Sequence, residues 1–229
     1  MKNTKSIQKK TPASEGFWLW GLSAVAMGVL GGVCILFWYT PRAYKPVRTE
    51  NAEQVSIYLT HELGPEFFNQ VQRDEPFELI IPQSGLNDIA GQWDWPQQFG
   101  DLSFSDPYVI FSDRSILLMG TLTYEGVSSV ISITALPAMN LDGKISMNIQ
   151  SVRLGMVSVT TLVTKLVQKA FDNNRSCFDG DPKAAENIQA IIHNEPFDPV
   201  FWFPDDRVRI SNFTIKQGSL KLTLLPEES

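Results

Sequence analysis

One uncharged segment constrains this sequence more than any other feature. Residues 17–40, FWLWGLSAVAMGVLGGVCILFWYT, contain no acidic or basic side chain. A bilayer core about 30 Å thick is crossed by roughly 20 apolar residues in an α-helix. Trp18, Trp20, Trp38 and Tyr39 lie near the two ends of the segment, where aromatic side chains favour the membrane interface. The segment therefore predicts a transmembrane helix.

A cleaved signal peptide is the alternative interpretation of the same segment. Signal peptides have an apolar region of only about 7–15 residues and a cleavage site of small residues. The apolar run here is longer, and Thr40-Pro41-Arg42 is not such a site. A lipoprotein site at LGGVC is disfavoured because Val33 precedes Cys34 and the apolar run continues beyond it. We therefore expect an uncleaved anchor.

The basic residues on the two flanks predict the orientation of the anchor. Cytoplasmic flanks carry an excess of lysine and arginine. Four lysines precede the run and three basic residues follow it: Lys2, Lys5, Lys9 and Lys10, then Arg42, Lys45 and Arg48. An N-terminal anchor followed by a large domain also usually exports that domain. The N-terminus is therefore predicted to be cytoplasmic.

Four regions follow from this topology. We expect residues 1–16 to form a cytoplasmic tail and residues 17–40 the transmembrane helix. Residues 41–54 contain Pro41, Pro46 and several charges, which is typical of a stalk. Residues 55–229 are long enough for one good core, but not comfortably for two. They are predicted to form one extracytoplasmic domain.

The charge of the exported part limits its partners. The chain has 19 basic and 25 acidic residues, of which residues 1–40 hold four and one. The remainder therefore carries nine net negative charges. Such a domain repels nucleic acid and gains no affinity from counterion release at phosphates. We expect no nucleic-acid partner, while the bilayer itself is an expected partner.

Hydrophobic alternation and turn residues predict the elements of the domain. We expect a short helix over 54–63 that ends at Gly64-Pro65, a strand over 77–82, and a short helix that Ser84 caps. A meander of about four strands follows from Phe104. Its turns are predicted at Asp113-Arg114, Glu125-Gly126 and Asp142-Gly143. After a helix that starts at Pro182, two strands joined at residues 216–218 close the chain.

A long amphipathic helix is predicted over residues 158–173. Its apolar residues recur at the helical spacing of i, i+3, i+4 and i+7. They are Val159, Leu162, Val163, Leu166, Val167, Ala170 and Phe171. The predicted fold class is accordingly α+β: an N-terminal transmembrane helix, then a curved antiparallel β-meander packed on this one long helix.

The segment ALPAMNLDGKISMNIQSVRLGMVSVTTLVTKLVQKAF resembles the YpmS-like family of bacterial membrane-anchored proteins, whose role is uncertain. In that family a span precedes a strand, a short helix with Leu-Asn, and a β-meander whose last strand passes into a long helix. Leu86-Asn87, Asp142-Gly143 and Leu154-Gly155 match these positions. The resemblance covers roughly residues 77–172, and residues 174–200 depart from it.

The order of elements is also similar to that of TULIP-like lipid-binding domains. In those domains a long curved sheet wraps one helix, and the gap between them can hold an acyl chain. This likeness implies a fold, and a fold alone does not determine function.

No catalytic or metal-binding motif occurs in the sequence. His61 and His193 are the only histidines, and neither lies in a pattern typical of zinc ligands. The chain lacks a G-x-S-x-G elbow, a Walker loop and a G-x-G-x-x-G turn. Its acidic pairs lie beside glycine or proline in loops, or at the end of the chain, where they favour turns and solubility. We expect a non-enzymatic protein without a cofactor.

Binding of a lipid or another apolar ligand in the cell envelope is the favoured function. Two loops are rich in aromatic residues, one with Trp93, Trp95 and Phe99 and the other with residues 201–203. They either plug the ends of the sheet or line the mouth of a groove. The alternative is a structural or interaction subunit of a membrane complex, with a filled core and no ligand. Candidate ligand-lining residues are Leu162, Leu166, Ile133, Met147, Trp93, Trp95, Phe99 and Trp202.

Small residues predict a contact of the anchor with another helix. Ala24, Gly28 and Gly32 are spaced four apart, so they share one helix face and let a second backbone approach closely. Another membrane protein is therefore a possible partner through this face.

We predict that alkaline carbonate washing leaves the protein in the membrane, because the uncharged run is long enough to span a bilayer. Protease added from outside the cell should digest residues 41–229. Immunoblotting of membrane and soluble fractions measures both. A soluble species beginning near residue 41 would show a cleaved signal peptide instead.

Overall fold

The described chain folds mainly into two antiparallel β-sheets. The computed structural model describes residues 27–28, 31–32, 35–47, 55–73, 75–160, 182–202 and 207–227. Within these ranges a six-stranded sheet and a four-stranded sheet contain all ten strands. We call them the large sheet and the small sheet.

The large sheet is an antiparallel arrangement in sequence order, β2 to β7. Its long strands are joined by tight turns at Asp113-Arg114, Glu125-Gly126 and residues 140–144, as the sequence predicts. The strands are β2 (Gln97–Phe99), β3 (Leu102–Ser112), β4 (Ser115–Tyr124), β5 (Val127–Met139), β6 (Ile145–Leu154) and β7 (Val157–Ser158).

The small sheet combines the start and the end of the domain. Its strand order is β1-β10-β9-β8, and β1 pairs with β10 from Phe77↔Leu224 to Pro82↔Ser219. The strands are β1 (Phe77–Pro82), β8 (Val200–Trp202), β9 (Arg207–Lys216) and β10 (Ser219–Glu227).

The described helices are short. A π-helical turn, Leu59–Leu63, continues directly into α1 (Gly64–Val71), and α2 (Gln83–Gly91) and α3 (Pro182–His193) follow. The prediction that Gly64-Pro65 ends the first helix is wrong. The N–H of Gly64 donates to Leu59 O, and Pro65 lies in the first turn of α1, so the helix continues through both residues.

The first helical segment, residues 57–63, is held against α2. Ser56 is buried and accepts a hydrogen bond from Leu59 N at 3.1 Å, and its hydroxyl also donates to Asp88 Oδ2. The ring of Tyr58 lies so close to Gly85 that an added Cβ would be 2.5 Å from it. Burial in this contact raises the pKa of the Tyr58 hydroxyl, and the charge of Glu62 raises it further.

Asn87 of α2 pairs with β3 as a neighbouring strand would. Its Oδ1 accepts from Val109 N at 2.7 Å, and its Nδ2 donates to Val109 O at 2.8 Å. The Gln83 side chain accepts from Phe111 N at 3.0 Å. Asn87 is only 2% exposed, so these bonds satisfy an amide that would be costly to bury alone.

The two sheets meet along backbone hydrogen bonds. Gly218 N donates to Phe111 O at 3.1 Å, and Arg114 N donates to Ile215 O at 3.3 Å. At another point Ile145 and Phe197 exchange two bonds of 2.9 Å. The main buried cluster crosses this seam, since it joins Ile145 of β6 to small-sheet and α1 residues: Val71, Phe77, Leu79, Val208, Ile210 and Leu224.

The predicted fold class is wrong. The described residues form two sheets rather than one meander on a long helix, because β1 and the two closing strands pair into a sheet of their own. The predicted helix over 158–173 lies outside the described residues from residue 161 onward.

The predicted anchor segment lies partly outside the described ranges. Among the described residues, no helix is both long and apolar enough to cross a membrane. Residues 17–26, 29–30 and 33–34 of the uncharged run do not belong to them.

We predict that Asn87→Ala lowers the free energy of unfolding by roughly 1–3 kcal/mol, because Val109 then loses both hydrogen-bond partners on that side. Asn148→Ala is the matched control, since Asn148 is only partly buried and its Nδ2 makes two long bonds, 3.3 Å to Leu136 O and 3.5 Å to Ser146 Oγ. Guanidinium unfolding of the full chain in detergent measures both variants. Equal losses would contradict the role of Asn87.

Candidate functional site: an apolar sheet face beside the N-terminal helix

One face of the large sheet is apolar over two successive rows of residues. Residues directly opposite each other on neighbouring strands share a face, and the register aligns Val109, Leu118, Ile133 and Val152 in one row. The next row contains Gly120, Ile131 and Leu154. An acyl chain could lie along these rows, since they contain no charged side chain.

This face is only partly buried. Ile131 and Val152 are 6% and 3% exposed, whereas the side chains packed around them are partly buried: Phe104, Leu122, Ile133, Ile149, Leu154 and Val159. The Phe104 ring covers Gly120, where an added Cβ would be 2.2 Å from the ring. Glycine therefore lets the aromatic ring pack directly against the strand.

A tryptophan pair borders this face at Phe104. Trp93 and Trp95 stack with centroids 6.1 Å apart, and Trp95 contacts Phe104 edge-on at 5.6 Å. Trp95 Nε1 donates to Ala90 O at 2.7 Å, which fixes the ring. Trp93 is 64% exposed, so one indole of the pair is available to a ligand or a lipid surface.

The structure separates two of the predicted ligand-lining residues. Ile133 belongs to the cluster on the apolar face, whereas Met147 packs in the cluster of the small sheet. Leu162 and Leu166 lie outside the described residues. The backbones of Phe99 and Trp202 belong to β2 and β8, and their side chains are outside the described part.

The N-terminal helix ends against the large sheet. Its last described helical residues are 35–37. Met156 N donates to Leu36 O at 2.8 Å, and Ser129 Oγ donates to Phe37 O at 2.6 Å. The last carbonyls of a helix lack partners within the helix, so the sheet caps this end.

Gly155 makes this contact possible. Its φ is +57°, and an added Cβ would lie 2.3 Å from Leu36 O and 2.4 Å from Phe37 O. Any side chain would therefore collide with the backbone of the helix end. The sequence contains Gly155 within the Leu154-Gly155 match, but the pattern alone gave no reason for a glycine there.

The segment after the helix lies along the sheet. Tyr44 OH donates to Asp106 O at 2.7 Å and lies 3.1 Å from Thr121 Oγ1, and its ring contacts Tyr108 edge-on at 6.4 Å. Val47 O is 2.8 Å from where a Cβ would be at Gly91 of α2. Residues 44–47, within the predicted stalk, thus contact the domain at two places.

At its two described positions, the predicted small-residue face of residues 24–32 makes no close contact with the domain. Nothing lies within 4 Å of the position that a Cβ would take at Gly28 or Gly32. Ala24 lies outside the described residues. The backbone at both described positions is therefore open to another helix.

A separate cleft of about 560 Å³ lies between α3 and the start of β6. Its lining includes Lys144, Glu186, Glu195 and Asp198, so it does not suit an acyl chain. Glu227 and Asp198 both accept hydrogen bonds from Arg209. These bonds raise the pKa of the guanidinium above its usual value, and the bond to Glu227 has the larger effect. This network ties the segment before β8 to β9 and β10.

The described residues contain no group of three or more histidine, cysteine or acidic side chains that could hold a metal ion. Within the same ranges His61 Nδ1 lies 2.8 Å from Thr60 Oγ1 in the first helical segment, and His193 ends α3. The two histidines lie on different helices, and neither shares a site with the apolar face.

Comparison with known proteins gives no relative. No protein-family model, no curated protein and no solved structure matches the chain. The resemblance to YpmS-like and TULIP-like proteins therefore stays an expectation from the sequence.

We predict that Gly155→Ala weakens the docking of the helix end, because the new methyl group collides with the carbonyls of Leu36 and Phe37. Gly126→Ala is the matched control: its φ is +80°, but nothing lies within 4 Å of the added carbon. Both changes place alanine in a left-handed conformation, at about 1–2 kcal/mol.

Only Gly155→Ala should also speed hydrogen–deuterium exchange at the Met156 amide. Mass spectrometry of the full chain in detergent, together with unfolding curves, measures the difference. The docking contact is refuted if the two variants behave alike.

Proposed function

We propose that this chain is a membrane-anchored, non-enzymatic protein whose domain lies outside the cytoplasm and binds an acyl chain or a similar apolar ligand. The uncharged run of residues 17–40 supplies the anchor. The ligand lies on the apolar face of the large sheet. The observation that carries the proposal is this face, where rows of apolar side chains cross four strands and most remain only partly buried.

Apolar surface left in water is unfavourable. Each Å² removed from water stabilises a complex by roughly 25 cal/mol. An acyl chain laid over Leu118, Ile133 and Leu122 would cover such surface without requiring any hydrogen bond. Trp93 and Trp95 support this interpretation, because a fixed indole pair at the border of the face gives a ligand a rigid aromatic contact.

An interaction subunit without a ligand is the second candidate. The observation that favours it is a group of large apolar side chains exposed on and next to the first helical segment: Val55, Ile57, Leu59 and Phe68. Exposed apolar patches of this kind are typical of protein–protein contacts. Mass spectrometry of organic extracts tests the first candidate, and crosslinking in the membrane tests the second.

We predict that Leu118→Trp abolishes uptake of a fluorescent fatty acid, because the indole would fill the space over Ile133 and Val152. Leu117→Trp is the matched control. Leu117 is the neighbouring residue on β4, is also half-buried, and pairs with Thr134 on the opposite face. It should leave uptake unchanged.

Thermal unfolding of both variants shows whether each still folds. If the apolar face is a filled core, Leu118→Trp should instead overpack it, at typically 1–3 kcal/mol. Destabilisation by Leu118→Trp, with no lipid ever extracted from the wild-type chain, would refute the ligand proposal and favour the interaction subunit.

A further inference from the structure

We propose that one end of the large sheet rests in the interfacial region of the bilayer that anchors the chain. This surface, the hairpin end, consists of the β4–β5 turn at residues 124–127 and the β6–β7 turn at residues 154–157. The inference rests on the membrane anchoring proposed above. Beyond that anchoring, it specifies which surface of the domain faces the lipid.

Hydrogen bonds fix the depth of the hairpin end. Met156 N is bonded to Leu36 O, and Ser129 Oγ to Phe37 O. Both acceptors belong to the last turn of the helix within the uncharged run. If that run crosses the bilayer, the chain leaves the bilayer near Leu36, and the Met156 amide is hydrogen-bonded to this residue. The β6–β7 turn is then at the depth of the membrane interface.

The side chains of the hairpin end suit that environment. Met156, Val127 and Tyr124 are 54%, 48% and 49% exposed, and Tyr124 pairs directly with Val127 across the hairpin. Trp38, which follows the helix end, is 64% exposed. Tyrosine and tryptophan favour the boundary between headgroups and acyl chains, where methionine and valine also lose contact with water.

The hairpin end binds through apolar contact rather than charge. Glu125 is the only charged residue in the two turns, and neither turn contains a lysine or arginine. Adsorption to anionic lipid requires basic residues. The partner is therefore the acyl boundary of the bilayer, and the contact should be insensitive to salt.

The opposite end of the sheet provides an internal control. Leu141, in the β5–β6 turn, is fully exposed and lies between Asn140 and Asp142. It is separated from Val127 by the length of β5, roughly 40 Å at about 3.3 Å per residue. An apolar residue there should remain in water.

The experiment uses the full chain with Cys34→Ala and Cys177→Ser, reconstituted in phosphatidylcholine vesicles. Met156→Cys, Val127→Cys and Leu141→Cys each receive a nitroxide label in a separate sample. Power saturation then compares the access of oxygen, which concentrates in lipid, with that of a water-soluble nickel chelate. At 156 and 127 oxygen access should exceed nickel access several-fold, with or without 1 M KCl. At 141 the order should reverse.

Three outcomes would overturn the proposal. If carbonate extracts the chain, both the membrane anchoring and the contact of the hairpin end with the bilayer are refuted. If the chain resists extraction but the labels at 156 and 141 are equally accessible to nickel, only the contact of the hairpin end with the bilayer is refuted. An immobile label at 156 with low access to both reagents would indicate that a second copy of the chain, rather than lipid, covers this surface.

Discussion

The hydrogen bonds at the end of the N-terminal helix determine how the rest of the chain is arranged. The last carbonyls of a helix need partners from outside it, and here Met156 and Ser129 donate to Leu36 and Phe37. Because these donors belong to the large sheet, the sheet begins where the helix stops. The following residues lie along the sheet, where Tyr44 bonds to Asp106. Helix and domain are therefore linked by non-covalent contacts as well as by the chain.

Local patterns in the sequence predicted the turns of the large sheet well and the assembly of the strands poorly. The Glu125-Gly126 and Asp142-Gly143 turns lie where the sequence places them, since both glycines have the positive φ that such turns require. The fold class was wrong because pairing between strands distant in sequence leaves no periodic signal. The bonds from Phe77↔Leu224 to Pro82↔Ser219 join the start of the domain to its end and create a second sheet. Neither strand's composition indicates its partner.

The candidate site was predicted only in part, and the reason is again long-range geometry. Ile133 and Met147 were expected together, but Met147 pairs with Pro137, four residues further along β5, roughly 13 Å away. At that point the large sheet meets the small one, so Met147 enters the other cluster. In the sequence, Asn87 and Gly155 stand out only because they match a family pattern. Their roles depend on the backbone opposite them, Val109 for Asn87 and the helix end for Gly155, which one sequence does not reveal.

The pairing of α2 with β3 has a further consequence for association between molecules. β2 covers β3 only over Leu102–Phe104, so the backbone near Val109 and Phe111 would otherwise be an open sheet edge. Such an edge is a template for strands of other chains and a frequent origin of aggregation. Asn87 and Gln83 occupy these hydrogen-bonding groups with side chains, which cannot propagate a sheet. Crowded molecules can therefore lie side by side without joining through this strand.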